Sequence, residues 1–330
     1  MGQELAWRLL AAGHEVTLLN RGTRDDSFGE RVTRLRADRT SPAFAEVLGR
    51  REFDAVVDFA AFTGSDGASA ARVLKDRVGH YVMISSGQVY LVKATAAASG
   101  GARLPVAMRE VDYDGPLMAE PPRGHLDHGE WEYGMGKRAC EDALAAAWEE
   151  ARFPATRLRI PMVNGERDYY RRVEGYVWRM LDGGPLLVPD GGTRPTRHVY
   201  SGAVVRAILS LLGDERTFGQ AYNLCQQETP TLRELLGTIA ELLGARLRLT
   251  DVSTEALRTV GLEPSLVSPF STRWMSFLDP SRAVAELGFA HEPFRVYLDK
   301  VVTSLLAHMP KEPPPGYAGR AKERECVRVA

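Results

Sequence analysis

The sequence predicts an α/β protein, a Rossmann-like doubly wound parallel sheet with a smaller C-terminal lobe, on three observations. Apolar runs of strand length recur at residues 16–19 (VTLL), 54–61 (DAVVDFAA), 81–84 (YVMI) and 156–163. Stretches of helical pattern precede or separate them, at residues 3–12 with Leu5, Leu9 and Leu10 on one face and from about 132 to 150. Strands that alternate with helices of ten or more residues form βαβ units, because a crossover of that length brings two strands side by side in the same direction.

The elements can be taken in order. Gly13 stands where the first helix should stop, and Asn20-Arg21-Gly22 reads as the turn after the first strand. A polar, helix-compatible stretch leads to the strand at 54–61. After Pro161 the alternation weakens, and Gly183-Gly184-Pro185 and Pro189-Asp190-Gly191-Gly192 read as loops of a second lobe. Helical patterns return at 203–212 and 232–243, and the last ends near His308. The expected organisation is a first domain over residues 1–163, a second lobe over 164–307 with segments returning to the first, and a mobile tail over 308–330 carrying Pro313-Pro314-Pro315 and many charges.

Bulk properties narrow the function classes. The chain of 330 residues is 44% hydrophobic and 26% charged, enough for a large core. Its 42 basic and 43 acidic residues leave a net charge of -1, which removes the electrostatic reason for tight binding to nucleic acid or a membrane surface. The 3 cysteines, Cys140, Cys225 and Cys326, lie far apart and form no metal-ligand spacing, so a reducing cytoplasm and no metal are expected. No apolar run approaches the ~20 residues of a membrane span.

Two constellations carry chemistry. Tyr133 and Lys137 stand four apart on a predicted helix, so both project from one face, and an ammonium beside a phenol favours the phenolate needed to exchange a proton during hydride transfer. Alone, this spacing fits a surface lysine beside a half-buried tyrosine equally well. The segment YVMISSGQVY, residues 81–90, adds a buried strand that ends in Ser85 and Ser86, and strand ends are where α/β sheets bind ligands. A serine pair capping a turn is the other reading of that feature.

In these residues and several others the sequence resembles the extended short-chain dehydrogenase/reductases, the NAD-dependent epimerase/dehydratases of nucleotide sugars. The carriers are Ala11-Ala12-Gly13-His14-Glu15-Val16, the strand end ISSGQVY, Tyr133 with Lys137, Leu158-Arg159-Ile160-Pro161, Gly165 with Asp168, Tyr222-Asn223, and Asp279-Pro280-Ser281-Arg282 before Glu286-Leu287-Gly288. The resemblance implies a dinucleotide-binding first domain and a substrate-binding second lobe. It implies Ser86, Tyr133 and Lys137 as catalytic residues, with Lys137 also holding the nicotinamide ribose. Pro161 is placed near the carboxamide, Ala60 and Ala61 beside the cofactor, and Asp38 near the adenine. A homodimer is also implied.

Several positions depart from the family pattern or leave a choice. Asn20-Arg21 stands where NAD enzymes place an acid for the ribose hydroxyls, so NAD(P) is expected with a tilt to NADP, although Arg21 as a solvated turn residue fits too. Gly87-Gln88 replaces the Asp-Glu pair of sugar 4,6-dehydratases, and Gln88 cannot shuttle a proton, which leaves epimerase or ketoreductase chemistry. Arg194 and Arg197 are candidate ligands of a nucleotide-sugar diphosphate, or else an exposed basic loop, and Gln88 joins them and Ser86 as a substrate contact. A non-catalytic cofactor-sensing or RNA-associated scaffold is the alternative from another class. Gly2 matches the last glycine of the family's GxxGxxG turn, so the first strand and two earlier glycines have no counterpart, a shortfall of roughly ten residues. A start of translation upstream is one expectation, with an extended version more stable and tighter for cofactor. A strand from the alternating tail 325–330 in the empty position is the other.

Overall fold

Every named strand in the computed structural model, which describes residues 1–23, 25–94 and 106–329, pairs in parallel. Strand β1 (Val16–Asn20) pairs with β2 (Val32–Arg36). A larger sheet has the order β3-β4-β5-β9, from β3 (Phe53–Asp58), β4 (Val78–Ser86), β5 (Ala155–Ile160) and β9 (Ala221–Asn223). Two short pairs follow Pro161: β6 (Met162–Asn164) with β8 (His198–Tyr200), and β7 (Leu186–Pro189) with β10 (Leu249–Val252). Pro161 divides the apolar run 156–163 between two sheets, since proline gives a ladder no N–H.

The expected polar stretch before β3 contains a strand the pattern hid. In β2 only Val32 and Leu35 are buried, and Thr33, Arg34 and Arg36 fill the rest, so no period of two is visible. Strands β1 and β3 belong to separate sheets. Residues 16–20 and 53–58 both line one large cleft, and the doubly wound order is interrupted between these strands.

Helices of ten or more residues cover the sheets: α1 (Gly2–Ala11), α2 (Gly64–Leu74), α3 (His128–Ala151), α4 (Arg172–Leu181), α5 (Ser201–Leu211), α6 (Leu232–Leu243), α7 (Phe294–Ala307) and α8 (Arg320–Val329). Helix α2 starts on a capping box of Thr63 and Asp66 and packs closely on α3, where a Cβ on Gly67 would stand 2.8 Å from the Cys140 carbonyl. One core joins both halves of the chain, with Val82, Ile84 and Leu158 of the large sheet against Val204, Ile208, Tyr297 and Val301.

The expected mobile tail is instead folded. In α8 the Arg320 guanidinium donates to both carboxylate oxygens of Asp182 at 2.7 and 2.8 Å, and fully buried Glu323 accepts from Arg179 of α4 at 2.5 and 2.9 Å. Charges that read as solvated in the sequence find partners inside, which composition cannot reveal. Because residues 320–329 are helical, they supply no strand between β1 and β3; Ala330 lies outside the described residues.

Two buried histidines set a pH limit on this fold. His80 Nδ1 accepts the Gly213 N–H at 3.1 Å and its Nε2 lies 2.8 Å from Thr156 Oγ1, while His198 packs on the Phe270 ring at 4.6 Å between centroids. Burial lowers His80 to about 4 and His198 to about 3 from the ordinary 6.5. Below pH 6.5 the unfolded chain therefore binds protons that the native protein refuses, and stability falls with pH by about 1.4 kcal/mol per unit for each histidine. The melting temperature should fall steadily from about pH 7 to about pH 5, where most other groups in the fold do not titrate. A flat profile would mean that these imidazoles accept protons in place.

Candidate active site

The site is built where α3 crosses the carboxyl ends of β3 and β4. Two glycines inside the Tyr133–Lys137 spacing permit the close approach. A Cβ on Gly134 would lie 2.5 Å from Val92 Cγ1 and 3.0 Å from the Gln88 carbonyl, and one on Gly136 would lie 2.5 Å from the Phe62 carbonyl. Both positions must stay bare for the helix to sit this low.

Lys137 is 2% exposed and its Nζ donates to the carbonyls of Ala61 at 2.6 Å and Ile84 at 2.9 Å. Three donors on an ammonium leave one for a ligand. The Phe62 ring centroid lies 4.5 Å away. Burial lowers the lysine to about 8.

Tyr133 lines the cleft one turn earlier, with the Ser86 side chain near enough to its phenol to favour the phenolate. Ser86 ends β4, opposite Ile160, and its Oγ accepts the Gln88 N–H at 3.2 Å. The expectation that Lys137 pulls the phenol down is not met in this arrangement. The surrounding protein pushes the Tyr133 phenol above its ordinary value by desolvation, with Ser86 the one opposing influence, and Lys137 Nζ stands 5.9 Å from the ring centroid with two donors committed to carbonyls.

Behind this wall runs a buried polar chain. Ser85 Oγ donates to Glu141, and Arg159 Nε and Nη2 grip the Glu141 carboxylate at 3.0 and 2.6 Å. Arg159 Nη1 donates to the Tyr90 hydroxyl at 2.6 Å, which donates to Asn223 Oδ1 at 3.0 Å.

The cleft, of about 3120 Å³, brings most of the expected site residues together. Gly2, Asn20, Arg21, Asp38, Ala60, Ser86, Gln88, Tyr133, Lys137 and Pro161 all line it. Ala61 is fully buried behind the surface and contributes its carbonyl to Lys137. Asn20 Oδ1 accepts the Gly22 N–H at 2.8 Å, and Arg21 Nη1 lies 3.9 Å from Asp38 Oδ2, so the arginine expected at a 2'-phosphate has a carboxylate beside it.

Arg194 and Arg197 are not brought to this cleft. Arg194 lines a small separate hollow with Pro189 and Asp190, and Arg197 donates to the carbonyls of Leu278 at 2.6 Å and Gln227 at 3.3 Å. A guanidinium bound to main-chain carbonyls is a structural brace. Conversely, the sequence reading passed over Glu130, which lines the cleft and accepts a hydrogen bond from Gln88 Nε2. Its signal was present, since Glu130 stands three residues before Tyr133 and so one turn along the same helix.

The NAD dependent epimerase/dehydratase family model matches residues 1–225. The chain belongs to that family. A curated relative, the 2'-dehydrokanamycin reductase of Streptomyces kanamyceticus, is 26% identical over 252 residues, 75% of this chain and 65% of that protein, so the match spans just under two thirds of the relative's length. Among solved structures, a dTDP-glucose 4,6-dehydratase from Bacillus anthracis in complex with NAD superposes with a TM-score of 0.70 at 15% identity, covering 93% of each chain. A UDP-glucuronic acid 4-epimerase from Bacillus cereus, also in complex with NAD, gives a TM-score of 0.69 at 15% identity over 94% of this chain and 96% of that one. These structures establish the fold. Among the described residues no helix of this family member is long and apolar enough to cross a membrane.

The geometry separates two substitutions. Tyr133→Phe removes only the transferable proton and should lower turnover by roughly 10²–10⁴-fold with little change in melting temperature. Lys137→Met leaves the Ala61 and Ile84 carbonyls without their donor and should also cost about 1–3 kcal/mol of stability, read by denaturant unfolding. Turnover by Tyr133→Phe at the wild-type rate would remove the phenol from the mechanism.

Proposed function

We propose that this family member is an NAD(P)-dependent oxidoreductase that exchanges a hydride at a carbinol or ketone of a sugar. The observation that carries the reading is the meeting of Ser86, at a strand end, with Tyr133 on one cleft wall, one helical turn from a buried ammonium with a donor to spare.

The cleft's donor set fits a nicotinamide dinucleotide. Helix α1 opens at Gly2 with no side chain capping its first amides, which suits a pyrophosphate. The remaining N–H of Lys137 suits a ribose hydroxyl, and Arg21 and Asp38 line the far end of the same cleft. When bound, the dinucleotide supplies or accepts the hydride. The protein does the rest: Tyr133 gives a proton to the carbonyl oxygen in reduction or takes it from the carbinol in oxidation, and Ser86 fixes that oxygen against the phenol. The phenol is protonated at neutral pH at its ordinary value near ~10, and desolvation moves it further up, so it enters the reaction as an acid.

Gln88 supports reduction or epimerisation over dehydration, because an amide cannot deprotonate the sugar. The curated reductase among the relatives accords with this. The placement of Arg194 and Arg197 gives no support to a nucleotide diphosphate handle.

The test is a panel of keto sugars, free, glycosidic and nucleotide-linked, with NADH and NADPH, followed by nicotinamide absorbance and product analysis. Oxidation of the cofactor that depends on Tyr133 is expected. Cofactor binding without turnover of any ketone or carbinol would overturn the reading. In the same assay Arg21→Ala should weaken NADP more than NAD. Equal losses would show that Arg21 does not read the 2'-phosphate, as its proximity to Asp38 would then explain.

A further inference from the structure

We propose that Glu130, steadied by Gln88, receives an ammonium group of the substrate, so that the sugar turned over is an amino sugar. The inference rests on the hydride-exchange reading of the site and adds the substrate's charge.

Glu130 lies one helical turn before Tyr133 and lines the same cleft, within reach of whatever the phenol touches. Its carboxylate accepts from Gln88 Nε2, and Gln88 is 8% exposed, so the acceptor is held by a nearly buried side chain rather than left to swing in solvent. Among the described residues Glu130 forms no ion pair. The Arg172 charge reaches it from a distance, while burial raises its pKa by penalising the anion. A desolvated carboxylate with an amide on one side and open cleft on the other is complementary to a cation.

The nearby cations are already engaged. Arg172 donates to the Val163 carbonyl at 3.3 Å and pairs with Asp168 at 3.2 Å, and Arg171 is bound to Glu174 at 2.8 Å. Arg179 is paired with Glu323, and Arg167 donates to Gln3 Oε1 at 3.0 Å. Lys137 faces carbonyls and Arg197 lies elsewhere. A diphosphate brought to this end would meet an anion beside the phenol and guanidinium groups bound to other acceptors. An ammonium would meet a carboxylate with free lone pairs.

The experiment uses the full chain with saturating NADP and compares binding of kanamycin, an aminated glycoside, with its fully N-acetylated form by calorimetry. The wild type should favour the amine by about tenfold or more, the scale of one charge-assisted hydrogen bond, and Glu130→Gln should erase that ratio. Glu130→Asp, which keeps the charge on a shorter stem, should restore part of it. The cofactor-induced melting shift of each variant reports that it is folded. A wild type that binds both forms alike or neither, or a Glu130→Gln variant that keeps the ratio, overturns the proposal. Turnover of neutral keto sugars in the panel separates the two readings: activity there with no amine preference defeats only the ammonium site, and an amine preference without any turnover defeats only the hydride chemistry.

Discussion

The buried ammonium of Lys137 is the interaction on which the site depends. It bridges the carbonyl of Ala61, beyond β3, and that of Ile84, within β4, and so ties α3 to both strand ends at once. Two neighbouring strands end with main-chain oxygens pointing at the helix, and a side chain with several donors on a flexible stem can satisfy both. Burial works against the charge, lowering it to about 8, and the carbonyls and the Phe62 ring offset that penalty only in this one position. The helix therefore cannot rotate without leaving a charge or two acceptors unpaired. Tyr133 inherits its aim from that constraint.

The same helix extends the logic inward. Tyr133, Lys137 and Glu141 recur every four residues and share one face of α3. The first opens on the cleft, the second clamps the strand ends, and the third is fully buried and bound to Arg159. Ser85 stands opposite Arg159 in the β4–β5 register and donates to the same carboxylate. A buried pair of this kind is weak evidence for net stability, because desolvation of both ions is costly. Its geometric effect is firmer. Removing either partner would strand the other in the interior, so β4, β5 and α3 keep one relative position, and Ser86, the next residue after Ser85, is delivered to Tyr133.

Local and global features differed in how far the sequence revealed them. The fold class was legible because strand runs such as 16–19 and 81–84 are apolar over their length and are separated by helices. The proposed catalytic trio of Ser86, Tyr133 and Lys137 could be picked out because a four-residue spacing and a strand end are local facts. β2 was hidden because an edge strand rich in arginine carries no alternation. The folded tail was hidden because its stabilising partners, Asp182 and Arg179, lie more than a hundred residues away. The influence of Lys137 on Tyr133 was misread for a related reason: adjacency predicts attraction, but the sign of the shift at the phenol follows from desolvation, which is a property of the packed cleft.

Charge in this protein is similarly decided by leftovers rather than totals. The balance of 42 basic and 43 acidic residues says only that no large field surrounds the molecule. Within the second half, Arg171, Arg172, Arg179, Arg197 and Arg320 are directed to carboxylates and main-chain carbonyls that the irregular loops and the C-terminal helix leave exposed to them. Guanidinium forks suit that work, since several donors in one plane can close several loop acceptors together. The arginines counted in a motif are thus withdrawn from solution chemistry by the architecture they hold. What the cleft presents next to the phenol is the group that this bracing does not neutralise, the Glu130 carboxylate on its Gln88 support, and the chemical character of the pocket follows from that residue more than from the composition of its walls.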